Sequence, residues 1–198
     1  RSIPDPFSDR SRAAGVDVID ISCSQAMELL QSPCESSDIL IDAILGTGLS
    51  RSIDGFLRDL MQWVSDLASD RHAMKVYAVD LASGVNSDNG KMDAATIKSD
   101  ITIALGYPKI SHFTQPSSLI GGKLCIVDIG IPLGFDRDIK VCNIDRKWVR
   151  DNLPDRPKDS HKGTFGKTMI VGGSINFVGA PLLAAAAAAR VGSGLVTI

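Results

Sequence analysis

Two periods of apolar and polar positions run along this chain. Ile39-Leu40-Ile41 and Ala43-Ile44-Leu45 form one short apolar run, interrupted only by Asp42. The run ends in Gly46-Thr47-Gly48, and polar Ser50-Arg51-Ser52 follows. Over residues 55–68, Phe56, Leu57, Leu60, Met61, Val64 and Leu67 recur at helical spacing, which predicts an amphipathic helix. Residues 16–21, 76–80, 100–105 and 123–127 are short apolar or alternating runs and predict strands. Residues 5–14 read as the end of a helix. Ser22 and Gln25 have capping-box spacing and predict a second helix, ending near Gln31. Asp88-Asn89-Gly90 reads as a turn. Strands alternating with helices point to an α/β fold with a mostly parallel sheet. In such a fold, an apolar run, a glycine turn and then a helix mark the carboxyl end of a strand, where ligands bind.

The pattern changes at residues 151–157, where Pro154 and Pro157 stand among charges and read as a linker. Beyond it, residues 167–171 predict a strand and residues 180–191 a helix carrying six alanines, Ala184 to Ala189. The alanine run is expected to pack closely against a sheet. Gly192-Ser193-Gly194 ends that helix and another strand begins. The second pattern is one strand–helix–strand unit, too small to bury a core alone.

Composition narrows the function classes. The 198 residues are 44% apolar and 22% charged, with a net charge of −2, and no basic stripe suggests nucleic acid or a membrane surface. No apolar run reaches the roughly 18 residues of a membrane-spanning helix. Cys23, Cys34, Cys125 and Cys142 show no metal-ligand spacing. Cys125 and Cys142 lie in apolar runs, so buried thiols in a reducing compartment, the cytoplasm, are expected. The chain starts without Met and stops inside a strand-like run, so it is expected to be a piece of a longer protein.

Several groups could carry chemistry. Gly46 to Arg51 satisfies only the start of a G-x-G-x-x-G fingerprint, and no Gly-Lys-Ser/Thr follows. The segment is therefore either a phosphate-binding turn or an ordinary strand-to-helix turn. Glycines would let backbone N–H groups reach an anion, and Arg51 would add a charge-assisted contact. Asp42 and Asp80 each end or interrupt an apolar strand. Either caps a nearby turn, or the two face one crevice beside the Gly46 loop. There they could hold a hard cation with Ser83, or one could act as a general acid/base. His72 reads as solvated, His112 lies in the connection after residues 100–105, and His161 reads as a linker residue. Lys109 follows a strand end and either faces the crevice or lies on the surface.

Three segments taken together are specific. Asp42-Ala43-Ile44-Leu45-Gly46-Thr47-Gly48-Leu49, the stretch from Val79-Asp80-Leu81-Ala82-Ser83-Gly84 to Gly90, and Val127-Asp128-Ile129-Gly130-Ile131-Pro132 resemble the later two-thirds of the NAD(P)H-hydrate epimerase domain. After the proline linker, Asp159 to Gly166, Val171-Gly172-Gly173-Ser174, Gly179-Ala180-Pro181 and Gly192 to Thr197 resemble the start of the ADP/ATP-dependent NAD(P)H-hydrate dehydratase domain. The order is similar to that of the fused bifunctional repair enzymes of prokaryotes.

The resemblance implies a fold and an activity. Residues 1–148 would be the carboxyl-terminal part of a Rossmann-like, three-layer epimerase domain. Residues 149–198 would be linker and the start of a ribokinase-like α/β domain. The epimerase interconverts the R and S forms of NAD(P)H hydrate, and the dehydratase uses ADP or ATP, with magnesium, to return the S form to NAD(P)H. Gly46, Thr47, Gly48, Leu49, Ser50, Arg51 and Ser52 would line the phosphate-bearing part of the substrate. Asp80 would bind the hydrated ring as the acid/base, and Asp42 and Ser83 would bind potassium. Ala180 would touch the substrate of the second domain. The partner is thus a small molecule rather than nucleic acid or membrane, and a homo-oligomer is left open.

The chain departs from the family pattern at Ala82, where the family has proline. The family's Asn-Asn-Gly-Gly-Asp loop does not occur in these residues. The resemblance therefore implies half of each active site, and a piece that is inactive or weakly active alone. Two rival readings stand beside it. One is an NAD(P)-dependent oxidoreductase using Asp66 or Asp70 to hold a ribose. The other is a non-enzymatic binding protein with an epimerase-like domain.

Overall fold

The computed structural model describes residues 6–21, 26–49, 51–70, 73–132 and 134–198. They form two compact units, Arg1–Asp136 and Arg137–Ile198. The first contains a four-stranded parallel sheet of β1 (Ile39–Asp42), β2 (Lys75–Val79), β3 (Ile101–Leu105) and β4 (Lys123–Val127), in that spatial order. This is the parallel α/β architecture that the strand and helix periods predict.

Alternate residues of a strand share a face. The register sets Leu40 beside Val76, Asp42 beside Ala78, and Ala78 beside Thr102. On this face lies the core. Helix α3 (Gly55–Asp70) brings Leu60, Met61 and Val64 onto Val76, with Ile53, Ala95 and Ile97 filling the remaining space. Helix α2 (Ala26–Ser36) adds Met27 and Leu30. On the opposite face Ile39 and Ile41 stay exposed. Of the three layers implied by the resemblance, the described residues supply the sheet and one helical layer.

Several elements differ from the expectation, each for a local reason. Helix α1 (Pro6–Ala13) ends where expected, but residues 16–21 form no strand, and Val16 is exposed. A strand exists only when a neighbour takes up its backbone groups, and none of the described strands pairs with this segment. Helix α2 runs past Gln31 to Ser36 despite Pro33, which has no N–H to donate. The Ser36 and Ser37 hydroxyls donate to the Ser32 and Pro33 carbonyls and close its end. Its expected capping residues, Ser22 and Gln25, lie outside the described residues, as do Cys23 and His72. Strand β1 stops at Asp42, so Ala43-Ile44-Leu45 belongs to the following loop.

In the second unit, α4 (Arg146–Asn152) is capped by Asp145, whose side chain accepts from the Trp148 N–H. Strands β5 (Lys167–Met169) and β6 (Leu195–Thr197) pair in parallel, joined through α5 (Gly179–Val191). Gly192, at φ 107°, ends α5 in the left-handed conformation that glycine adopts without strain. The alanine run packs only in part: Ala185 and Ala188 are half-buried and the other four are exposed. Two strands are too narrow to cover it. Cys142 is also exposed, because residues 141–144 join no strand, whereas Cys125 is half-buried in β4.

Met61 is fully buried at the centre of the α3 contact with the sheet. Met61→Ala is expected to destabilise the first unit by about 2–5 kcal/mol. Urea unfolding followed by circular dichroism measures this directly.

Candidate active site

The carboxyl ends of β1, β2 and β3 carry Asp42, Asp80 and the segment that leads to Lys109. In an open parallel sheet this edge is where ligands bind. The turn after β2 organises it, because Asp80 and Ser83 stand three residues apart on that turn and reach in opposite directions.

Ser83 reaches toward β1. Its Oγ donates to Asp42 Oδ1 at 2.5 Å, and its N–H donates to Asp42 Oδ2 at 2.8 Å. The Ile44 N–H approaches Asp42 Oδ1 at 3.4 Å, and the Leu45 N–H donates to Ser83 Oγ at 2.8 Å. Asp42 and Ser83 are each 1% exposed. A buried carboxylate is costly unless hydrogen-bonded or paired. Here hydrogen bonds serve, and among the described residues no cationic side chain forms an ion pair with Asp42.

Asp80 reaches toward β3. Lys109 Nζ donates to Asp80 Oδ1 in a close ion pair, and the Leu105 N–H donates to the same oxygen at 3.0 Å. The Lys109 ammonium also approaches the Leu105 carbonyl at 3.3 Å. Both side chains are about four-fifths buried, at 18% and 21% exposure. Among the described residues, Asp80 Oδ2 accepts no hydrogen bond. Asp80 is the one non-glycine residue at positive φ among those described, at 69°. That conformation costs an L-residue about 1–2 kcal/mol, and strain of this kind collects at functional sites. It is held by the Asp80 N–H donating to the Ile103 carbonyl at 2.8 Å.

Residues 46–52 run beside this turn. The Asn86 amide donates to the Leu49 carbonyl at 3.0 Å, and Ser87 Oγ to the Thr47 carbonyl at 3.3 Å. These bonds use carbonyls and leave amides free: among the described residues, the N–H groups of Gly46, Thr47 and Gly48 have no protein acceptor. All three residues are exposed. A Cβ added at Gly46 or Gly48 would meet nothing within 4 Å, and neither glycine has positive φ. The turn itself therefore does not require them; what they leave is open backbone that an anion can approach. Arg51 and Ser52 are exposed beside it, and Ser50 lies outside the described residues.

The sequence-derived residues thus fall into three groups. Asp42, Ser83, Asp80 and the Gly46 loop meet at one sheet edge. Lys109, readable equally as a surface lysine, joins them as the partner of Asp80, and so does His112, which reads in the sequence only as part of a connection. The signal for Lys109 was its place just after a parallel strand. Ala180 belongs to the second unit, exposed in the first turn of α5. Near it, a cavity of about 480 Å³ is lined by Gly172, Gly173, Ser174, Pro181, Leu182 and Ile198. Asp66 and Asp70 lie on α3, not after a second strand, which leaves the ribose acid of an oxidoreductase without its usual place.

The far end of the Gly46 loop is tied by Asp93, whose Oδ2 accepts from the Ile53 N–H at 3.0 Å while Oδ1 accepts from the Ala95 N–H at 3.0 Å. The Ala95 and Ile53 N–H groups hold the Asp93 carboxyl below the usual aspartate range. A lowered folded-state value means that this stabilisation is fully present above the unfolded value, about 4, and is lost as pH falls through the folded value. Asp93→Asn is therefore expected to flatten the fall in melting temperature between about pH 5 and pH 2. Thermal unfolding across that window tests it.

Comparison with known proteins adds a family. The YjeF-related protein N-terminus matches residues 8–111. A protein of Dictyoglomus turgidum named bifunctional NAD(P)H-hydrate repair enzyme Nnr is 32% identical over 162 residues, covering 80% of this chain and 30% of its own. Proteins of the same name from Thermofilum pendens and Hyperthermus butylicus are 32% and 38% identical, covering 90% and 83% of this chain and 32% and 28% of theirs. The chain thus spans about a third of the length of these relatives. The crystal structure of yeast ynu0, YNL200c, aligns with a TM-score of 0.49 at 16% identity, over 64% of this chain and 49% of that one. Because the match at residues 8–111 takes in more than half of the chain, this protein belongs to the family of YjeF-related protein N-termini.

Proposed function

We propose that the protein carrying this chain repairs NAD(P)H hydrate, and that the first unit contributes to exchange of its R and S epimers. The observation that carries the reading is the Asp80–Lys109 pair at the carboxyl edge of the sheet, beside backbone amides left open at Gly46, Thr47 and Gly48. The relatives named as repair enzymes support it.

The chemistry follows from the groups present. The substrate has two parts, a pyrophosphate-bearing body and a hydrated ring. The open amides of the Gly46 loop, with Arg51 and Ser52 beside them, would bind the phosphates. Asp80 would face the hydrated carbon through Oδ2. Exchange at that carbon breaks a bond to a heteroatom and remakes it on the other face, so one proton must be delivered and one taken back. A carboxylate and an ammonium in contact hold one transferable proton between them, as general acid/base exchange needs. Their burial limits competing transfer to bulk water.

Potassium finds suitable donors in this reading. The Asp42 carboxylate has about four lone-pair sites, more than its three hydrogen bonds use, and the Ser83 hydroxyl stands against it. Oxygen donors of this kind suit a hard cation. Bound there, it would neutralise the buried charge that no cationic side chain among the described residues pairs. The second unit would begin the dehydratase part, with Ala180 near its substrate and ADP or ATP with magnesium as the driving nucleotide. Cytoplasmic location and self-association belong to the same proposal. Among the described residues no helix is long and apolar enough to cross a membrane.

The test of function is epimer exchange by the full-length protein. Purified R hydrate of NADPH is incubated and the epimers are resolved by HPLC. The S form is expected to appear well above the spontaneous rate. Asp80→Asn is expected to lower that rate by about 10²-fold or more. Exchange at the wild-type rate in Asp80→Asn would overturn the role given to Asp80, and steady nicotinamide reduction would favour an oxidoreductase instead. For the cation, melting temperature is expected to rise more in potassium chloride than in tetramethylammonium chloride at equal ionic strength. Asp42→Asn is expected to abolish the difference.

A further inference from the structure

We propose that His112 is a positioning residue, which holds Asp80 and Lys109 in register by bridging their backbones. The inference rests on the reading of that pair as the acid/base centre and extends it to a residue that never touches the carboxylate or the ammonium.

The geometry is closed at both ring nitrogens. The Lys109 N–H donates to His112 Nδ1 at 3.0 Å, and His112 Nε2 lies 2.9 Å from the Asp80 carbonyl oxygen. An N–H can only donate, so Nδ1 must be bare. A carbonyl can only accept, so Nε2 must carry the proton. The two partners together select the neutral Nε2–H form. The imidazole therefore links residues 29 apart in sequence whose side chains meet in the Asp80–Lys109 pair.

Each contact answers a local need. Asp80 sits at positive φ, and a donor on its carbonyl fixes the orientation of the peptide that follows. Lys109 precedes the short 3-10 turn Ile110–His112, and the contact to Nδ1 takes up its backbone N–H. The charged groups facing the ring are those of Lys109 and Asp80, of opposite sign. Burial lowers the His112 pKa most, and the Lys109 charge lowers it further, against the Asp80 carbonyl and carboxylate, which raise it. Protonation would put a second N–H at Nδ1 against the Lys109 N–H, so the bridge holds only while the ring is neutral.

The first test reads the bridge without turnover. Long-range 1H–15N spectra of the 198-residue chain near neutral pH are expected to show a bare Nδ1 and a protonated Nε2 on His112. A protonated Nδ1 would overturn the proposal. Hydrogen exchange of the Lys109 ammonium is then compared across variants. His112→Ala is expected to speed it about tenfold, the effect of losing roughly one hydrogen bond of restraint. His112→Gln, whose amide can still donate to the Asp80 carbonyl, is expected to restore part of the protection while circular dichroism stays unchanged. Unchanged Lys109 exchange in a folded His112→Ala would overturn the proposal.

In the full-length protein, His112→Ala is expected to lower kcat for epimer exchange about tenfold, with KM within about twofold. A rise in KM at unchanged kcat would count against positioning. Absence of exchange in the wild-type protein would overturn the functional reading, while the ring tautomer and the Lys109 protection still decide the role of His112.

Discussion

The sheet edge depends on how the buried Asp42 carboxylate is satisfied. At 1% exposure it cannot rely on water, and its hydrogen bonds come from Ser83 and Ile44. The Ser83 bonds fasten the turn after β2 to the end of β1. The turn cannot move without leaving a buried charge unsatisfied, a cost of several kcal/mol by the usual scale for such groups. Asp80, three residues earlier on the same turn, inherits that fixed position. The strained backbone of Asp80 is tolerable because both ends of its turn are tied, by Ser83 to β1 and by the Asp80 N–H to β3.

The same arrangement divides labour between two acids that look alike in the sequence. Asp42 spends its oxygens on the protein's own N–H and O–H groups, so its role is structural unless a cation shares it. Asp80 has one oxygen paired to Lys109 and Leu105, and the other has no hydrogen-bond partner among the described residues. The difference comes from their surroundings: a serine and backbone amides for one, a lysine and one backbone amide for the other. Gly84 shows how tightly the turn is made. It sits at φ 98°, and a Cβ there would run into the Thr96 hydroxyl, which must shift before a larger residue fits. Ala82, beside Ser83 on the same turn, is buried.

What could be read from the sequence follows the range of each interaction. The helix period of residues 55–68, the apolar strands and the acids at their ends are local signals, and the parallel sheet follows from them. The expected strand at residues 16–21 is locally strand-like, but a strand depends on a neighbour that periodicity cannot supply. The end of α2 was hidden by Pro33, where two serine hydroxyls beyond it sustain the last turn. Lys109 was legible as a residue after a strand end, with the crevice and the surface both open to it, and His112 only as part of a connection. Their meaning comes from contacts to Asp80, 29 and 32 residues away, which no local pattern encodes.

A polar centre built on loops needs restraint from outside the loops, and here it comes through bonds that cross between strand ends. Ser83 joins β1 to the β2 turn, Asp80 joins that turn to β3, and His112 joins it again to the segment beyond β3. Each link joins backbone to backbone through one side chain, so the distances between strand ends are held by covalent geometry plus one or two hydrogen bonds. A 1 Å error in such placement is enough to cost a catalyst about two orders of magnitude. The Gly46 loop follows a different rule. Its Leu49 and Thr47 carbonyls are tied down by Asn86 and Ser87, while the Gly46, Thr47 and Gly48 amides have no acceptor among the described residues. The loop is thereby held in shape by the same turn that carries Asp80. The single turn after β2 therefore holds the Asp80–Lys109 pair and the Gly46 loop together, so a change at Ser83 or Gly84 would disturb both at once.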